Sequence, residues 1–138
     1  MKTIALFLGL VCLSFNAVGQ EKTVTVTVTI ENVLNDEGTV LASLHTEDTF
    51  MKGGGLIDLN EKAKKGPITL VFENVSPGTY AVMAMHDANE NNRMDYESNG
   101  MPKESYGMSG NEMAMGPPSF DMAKFDVGDK DLELTIRF

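Results

Sequence analysis

The sequence contains no tryptophan, one cysteine and two histidines, and aromatic residues make up only 7% of its 138 residues. Because Cys12 is the only thiol, no disulfide can form within the chain. No serine lies in a G-x-S-x-G motif, and neither a phosphate-binding loop nor a dinucleotide fingerprint is present. These absences lead us to expect that the protein is not an enzyme.

Positive charge is also scarce, since 11 lysines and arginines stand against 20 aspartates and glutamates, a formal net charge of −9. Such a surface repels nucleic acid and anionic lipid, so neither is an expected partner. The longest apolar run, from Ile4 to about Phe15, is shorter than the roughly 20 residues that a membrane-spanning helix needs. No transmembrane segment is therefore expected in the mature chain.

The first residues have the layout of a secretory signal peptide. Lys2 precedes the apolar run, and small residues at Ala17 and Gly19 frame a cleavage site. We expect residues 1–19 to be removed and residues 20–138 to form a single exported domain, periplasmic or extracellular. Lipid attachment at Cys12 is disfavoured, because Val11 stands where a small residue is usual.

Strands are the main element that the rest of the sequence predicts. Lys22–Glu31 alternates valine and isoleucine with threonine, the period of a strand with one buried face. A turn signal at Asn35–Gly38 leads into a second strand, Thr39–Thr46, and predicts a hairpin between the two. Three glycines in succession make Met51–Pro67 irregular in this interpretation.

Further strands are predicted at Ile68–Val75, at Tyr80–His86, within residues 119–128 and at Asp131–Phe138. Tyr80–His86 is apolar on both faces, which indicates a central position in a sheet. Between it and the final strands lies a long loop region, about residues 87–118. The sequence therefore predicts an all-β fold, an antiparallel β-sandwich with one long loop region.

The stretch "HDANENNRMD" opens this loop with regularly spaced oxygen-bearing side chains. Asp87, Asn89, Asn91 and Asp95 fall on positions 1, 3, 5 and 9 of a calcium-binding loop, and Arg93 would contribute its backbone carbonyl at position 7. The spacing makes these five residues a candidate calcium site. An alternative explains the same residues without metal, because Asp and Asn hydrogen-bond their own backbone and hold turns.

An EF-hand is excluded, because Ser98 stands where its bidentate glutamate is required. Additional oxygens would have to come from Glu97, Asn99, Glu104 or the backbone. With two carboxylates in the set, we expect weak binding, with a dissociation constant of about 10⁻⁴ to 10⁻³ M.

Methionine is abundant after the predicted fourth strand, since eight of the ten methionines lie between Met83 and Met122. Thioethers are soft ligands that suit copper(I), so a copper-handling protein using methionines and His86 is an alternative function. The opposing interpretation is that methionine fills an irregular core. Strand alternation places His86 on the same face as Tyr80 and Val82.

Four motifs occur in order: "PGTYA", "HDANENNRMD", "GMPKESYGMS" and "PSF". Together they resemble the exported bacterial family designated domain of unknown function 2141. The resemblance implies an immunoglobulin-like or transthyretin-like β-sandwich in the cell envelope, with no established activity. Asn92 stands where the family has glycine, and asparagine is predicted to keep the left-handed turn. We expect a non-catalytic domain that recognises a protein or carbohydrate partner.

Overall fold

The computed structural model describes Gly19, residues 22–110 and residues 117–138. Apart from Gly19, the predicted signal peptide lies outside the described residues. Within them the chain forms eight strands and one short helical turn: β1 (Val24–Val33), β2 (Thr39–His45), β3 (Ile57–Lys62), β4 (Gly66–Val75), β5 (Gly78–Asp87), β6 (Tyr106–Met108), α1 (Phe120–Ala123), β7 (Phe125–Val127) and β8 (Leu132–Ile136).

The strands form two sheets that pack face to face, which confirms the predicted β-sandwich. The first sheet has the order β4-β1-β8, and the second has the order β3-β2-β5-β6. β7 pairs with the start of β5 and β6 with its middle, so both lie along the edge of β5 that β2 leaves free. All pairs are antiparallel except β1 with β8, which is parallel.

The core lies between the sheets and follows the alternation that the sequence predicts. Val26, Val28 and Ile30 of β1 are fully buried, and their neighbouring threonines are only partly buried. The second sheet contributes Val40, Leu44 and Val82, among others. Alternating burial of β-branched residues therefore accounts for the face that β1 turns to the core.

The predicted hairpin between the first two strands is wrong. β1 pairs with β4 and β8, whereas β2 pairs with β3 and β5 in the other sheet. The connection after Val33 crosses from one sheet to the other, and Gly38 in it has a φ of +68°. A Cβ on Gly38 would lie 2.1 Å from the backbone oxygen of Asp87, so this crossing requires glycine. A turn signal indicates reversal of the chain but not which sheet it enters.

The segment Met51–Pro67, predicted to be irregular, contains the edge strand β3. It pairs with β2, with Ala42 opposite Leu59 and Leu44 opposite Ile57. Only Ile57 and Leu59 pack against the core, and the other four side chains of β3 are polar and exposed. Two apolar residues were too weak a pattern to predict this strand.

Two further boundaries differ from the sequence prediction. The long loop region contains the short strand β6, and the strand predicted within residues 119–128 begins as the helical turn α1 before β7. Pro118 precedes this turn, and Lys124 ends it by donating its backbone N–H to the carbonyl of Phe120 at 2.8 Å. Among the described residues no helix has the length and apolar character needed to cross a membrane.

A second, smaller apolar cluster lies on the outer face of the second sheet. Phe50, Ala81, Met108 and Ala123 are buried there, and Met83 packs against them. The loop between β2 and β3, together with α1, supplies the cover. The second sheet is thus apolar on both faces, and the features described next lie on its outer face.

Candidate functional site

The loop after β5 is organised by the carboxylate of Asp87, which is fully buried. Its Oδ1 accepts the backbone N–H of Asn91 at 3.2 Å, and its Oδ2 accepts that of Asn92 at 2.7 Å. Asn92 has a φ of +59°, which confirms the left-handed conformation predicted for the position that is glycine in the family. Asp87 therefore fixes the turn from within.

A second carboxylate, that of Asp95, receives the two amide side chains of the motif. Asn89 Nδ2 donates to Asp95 Oδ2 at 2.7 Å, and Asn91 Nδ2 donates to the same oxygen at 2.8 Å. These hydrogen bonds, that of Asn89 foremost, together with the nearby guanidinium of Arg93, lower the pKa of Asp95 below its usual value. The structure thus brings Asn89, Asn91 and Asp95 to one point.

The fifth residue of the predicted site, Arg93, lies at the edge of this cluster. Its backbone N–H donates to Asn91 Oδ1 at 3.1 Å, and its Nε lies 3.7 Å from Asp95 Oδ1. Asn89 Oδ1 likewise accepts a backbone N–H, from Asn91 at 3.3 Å. The amide oxygens therefore face the backbone while the amide nitrogens face Asp95.

Glu104 closes the loop from its returning end. Its Oε2 accepts the backbone N–H of Asp95 at 2.7 Å, and Lys103 donates its N–H to the Asp95 carbonyl at 2.8 Å. The sequence suggested Glu104 as an additional metal oxygen. Within residues 22–110 and 117–138, no group of three or more histidine, cysteine, aspartate or glutamate side chains is arranged to hold a metal ion.

His86 lies on the core-facing side of β5 and is only 4% exposed. Its Nε2 is 2.6 Å from the carbonyl oxygen of Glu37, in the connection between the sheets. The placement with Tyr80 and Val82 confirms the face predicted from alternation. Met83, on the opposite face, is therefore not brought together with His86.

A groove of about 1050 Å³ opens on the outer face of the second sheet. It lies beside the loop between β5 and β6 (residues 88–105), which we call the acidic loop. Side chains of β2 and β5 form its floor. The acidic loop forms one side, and β3 together with the loop before it forms the other side. Its lining includes Leu41, Met51, Asp58, Met83, Met85, Arg93, Met94, Tyr96 and Tyr106.

Sequence reasoning missed this groove, although a signal for it was present. "YAVMAMH" is apolar on both faces, and a strand in a two-sheet fold needs only one apolar face for the core. The second apolar face, which includes Met83 and Met85, is the face that forms part of the groove.

Asp58 is the charged side chain of the groove on the β3 side. A hydrogen bond from Ser43, assisted by the backbone N–H of Gly55 at 2.9 Å, lowers the pKa of Asp58. Close to it, burial lowers the pKa of His45, whose ring packs edge-on against Phe50. The carboxylate therefore stays ionised while the adjacent imidazole favours its neutral form.

A family model described as an uncharacterized protein conserved in bacteria, domain of unknown function 2141, matches residues 28–135. The match covers both sheets, the acidic loop and the groove. No curated protein and no solved structure matches the chain.

Proposed function

The chain belongs to this uncharacterized bacterial family, and we propose that it is an exported, non-catalytic binding domain whose recognition surface is the groove on the second sheet. The groove is the observation that carries the proposal. It has the volume typical of ligand sites and combines an apolar lining with a few polar groups at its sides. The acidic loop forms one of those sides and shapes the entrance.

The chemistry of the lining favours apolar side chains of a partner polypeptide. Methionine is flexible and polarizable, so Met83 and Met85 can adapt to different apolar groups. Tyr96 and Tyr106 are 59% and 41% exposed, and tyrosine is enriched at protein interfaces because its ring is apolar and its hydroxyl is polar. A carbohydrate, which would stack on the same tyrosines, is the alternative partner.

A non-catalytic role is supported by the contacts of the histidine and the carboxylates at the end of β5 and in the loop that follows it. His86 is held by the Glu37 carbonyl, and Asp87 is held by two backbone N–H groups. Glu104 accepts the N–H of Asp95. General acid–base catalysis needs such groups directed at a substrate, and here each has a structural partner.

The groove can be tested with the apolar fluorophore 1-anilinonaphthalene-8-sulfonate. We expect the folded protein to enhance its fluorescence, and Met85→Asp to remove most of the enhancement. Val71→Asp is the matched control, because Val71 is 42% exposed on the first sheet and lies outside the groove. Equal enhancement by both variants would contradict the proposed surface. Screening peptide and oligosaccharide arrays then separates the two partner classes.

We further propose that calcium binds the acidic loop and stiffens this side of the groove. Rotation of the Asn89 and Asn91 amides by half a turn directs two carbonyl oxygens at Asp95. Calcium coordination then replaces the hydrogen bonds that these oxygens accept from the backbone N–H groups of Asn91 and Arg93. Asp95 is partly exposed, so an ion can reach it. Asp87 remains the internal support of the turn. The metal-free alternative is the observed hydrogen-bonded loop itself.

A calcium titration of the melting temperature separates these two possibilities. At ten times the dissociation constant, calcium stabilises the folded state by about 1.4 kcal/mol, which raises the melting temperature by about 5 °C in a domain of this size. Asp95→Asn preserves the shape of the side chain and should abolish the response. Asp129→Asn, in the exposed turn between β7 and β8, is the control. A melting temperature unchanged by millimolar calcium leaves the hydrogen-bonded turn as the explanation.

The placement of His86 argues against one form of the copper alternative, a site that combines His86 with methionines. Because His86 and Met83 lie on opposite faces of β5, a site that combines them is disfavoured. Methionines alone remain available in the groove.

A further inference from the structure

Methionine is concentrated in the groove. Of the seven methionines within the described residues, four line it: Met51, Met83, Met85 and Met94. Met83, Met85 and Met94 are partly buried, and Met51 is 57% exposed. Their side chains therefore line a shared space that is open to solvent.

The methionines outside the groove show what packing alone does with this residue. Met108 is only 8% exposed and belongs to the buried cluster with Phe50, and Met122 packs against the same cluster. Filling a gap under a loop accounts for both. Met83 also packs against this cluster. Packing does not account for four methionines around one open groove, where an apolar lining could equally be built from leucine.

Met83 and Met85 are held at a separation that suits a shared ligand. They lie two residues apart on the same face of β5, so their Cα atoms are about 7 Å apart. β5 has paired strands on both sides, which fixes the backbone at these positions. Since each side chain has three rotatable bonds, both sulfurs can reach one point above the strand.

A third thioether donor is available from the acidic loop or from the loop before β3. Met94 belongs to the former and Met51 to the latter, and both line the groove opposite β5. Two or three uncharged thioethers suit a soft monovalent cation and suit hard divalent cations poorly. Asp58, whose carboxylate stays ionised, also lines the groove and adds attraction for positive charge.

We propose that the groove binds a soft monovalent metal ion, copper(I) or silver(I), through the thioether sulfurs of Met83 and Met85, with Met94 or Met51 as the third ligand. This site is distinct from the acidic loop, whose donors are oxygens. It goes beyond peptide recognition, and the two functions share only the lining of the groove.

Silver(I) is the probe, because it has the charge and ligand preference of copper(I) without its oxidation chemistry. The full chain would carry Cys12→Ser in every sample, so that a thiol does not compete, and chloride-free nitrate buffer keeps silver dissolved. With methyl-¹³C methionine, we expect the resonances of Met83 and Met85 to shift first and to saturate at one equivalent. The double variant Met83→Leu/Met85→Leu should weaken silver binding on the order of ten-fold or more.

Met101→Leu is the matched control, since Met101 is 62% exposed and lies outside the groove, and it should leave the affinity unchanged. Leucine conserves volume and apolar character, so the double variant should remain folded by circular dichroism and still bind the fluorophore. Loss of silver binding with retained fluorophore binding supports the metal site. Unchanged silver affinity in the double variant, or simultaneous shifts of all methionine resonances, would overturn it without affecting the recognition surface.

Discussion

The outer faces of the two sheets differ in what they present to solvent. On the first sheet, Thr25, Thr27 and Thr29 form a polar row, and the Thr29 hydroxyl lies 3.4 Å from that of Thr69 on β4. On the second sheet, Ala81 and Met83 stand at the equivalent outward positions of β5 and are covered by loops. The outer face of the first sheet is polar and open to solvent, whereas the apolar outer face of the second sheet is covered by a further layer of loops.

The extra layer is what gives this domain a groove. The loops cover only part of the apolar face of the second sheet. A groove remains where this cover ends, and polar residues lie along its edge. The polar face of β1 needs no cover and leaves nothing for a ligand to occupy. A strand that is apolar on both faces therefore predicts more about function here than a strand that alternates strictly.

The largest expected difference concerns two carboxylates that each accept backbone N–H groups. Asp87 is fully buried beside the groove, whereas Asp131 is exposed and accepts the N–H of Thr25 at 2.8 Å on the first sheet. Asp87→Ala leaves the buried N–H of Asn92 without an acceptor and that of Asn91 with only Asn89 Oδ1, so it should destabilise the fold by about 3 kcal/mol. Asp131→Ala should destabilise it by about 1 kcal/mol or less. Urea unfolding measures both. Equal losses would show that the acidic loop is not integral to the fold.

A smaller difference is expected from exchanging side chains between the two outer faces. Met83→Thr puts the residue type of the first sheet on the second and removes contacts with the cluster around Phe50, so we expect destabilisation of about 1.5 kcal/mol. Thr27→Val puts an apolar residue on the open face and should change stability by less than about 0.5 kcal/mol. Thermal unfolding of the two variants compares them directly. If Thr27→Val were the more harmful, the first sheet would be the covered one.

The same contrast explains how much of the structure the sequence could predict. The alternation in β1 predicted its strand and its buried face, because that face is set by local period alone. The spacing of the acidic motif indicated which side chains could meet in a tight loop, because that spacing is also local. Asn89 and Asn91 do meet Asp95, whereas Asp87 accepts backbone N–H groups instead. Pairing of β1 with β4 and β8, rather than β2, depends on contacts distant in sequence, and no local pattern encodes them.

The sequence also failed to predict the edge strand β3 and the groove beside it. The edge strand β3 has only two residues that pack against the core, so its period was too weak to predict. The groove combines side chains from β2, β5 and two loops, and their meeting follows from the sheet order. Only the second apolar face of β5 indicated that something lay above it.

The smallest expected effect is a titration shift on the covered face. Burial under Phe50 lowers the pKa of His45, while the nearby Asp58 carboxylate raises it in part. The folded protein therefore binds fewer protons than the unfolded chain between the folded pKa and 6.5, so this histidine reduces stability as pH falls through that window. In an NMR titration, we expect a His45 midpoint below 6.5, and Asp58→Asn should lower it further because the attracting charge is gone. Asp131→Asn, on the other sheet, should leave the midpoint in place. A midpoint at or above 6.5 would mean that the loop does not shield this imidazole, and the contrast between a covered and an open face would be weaker.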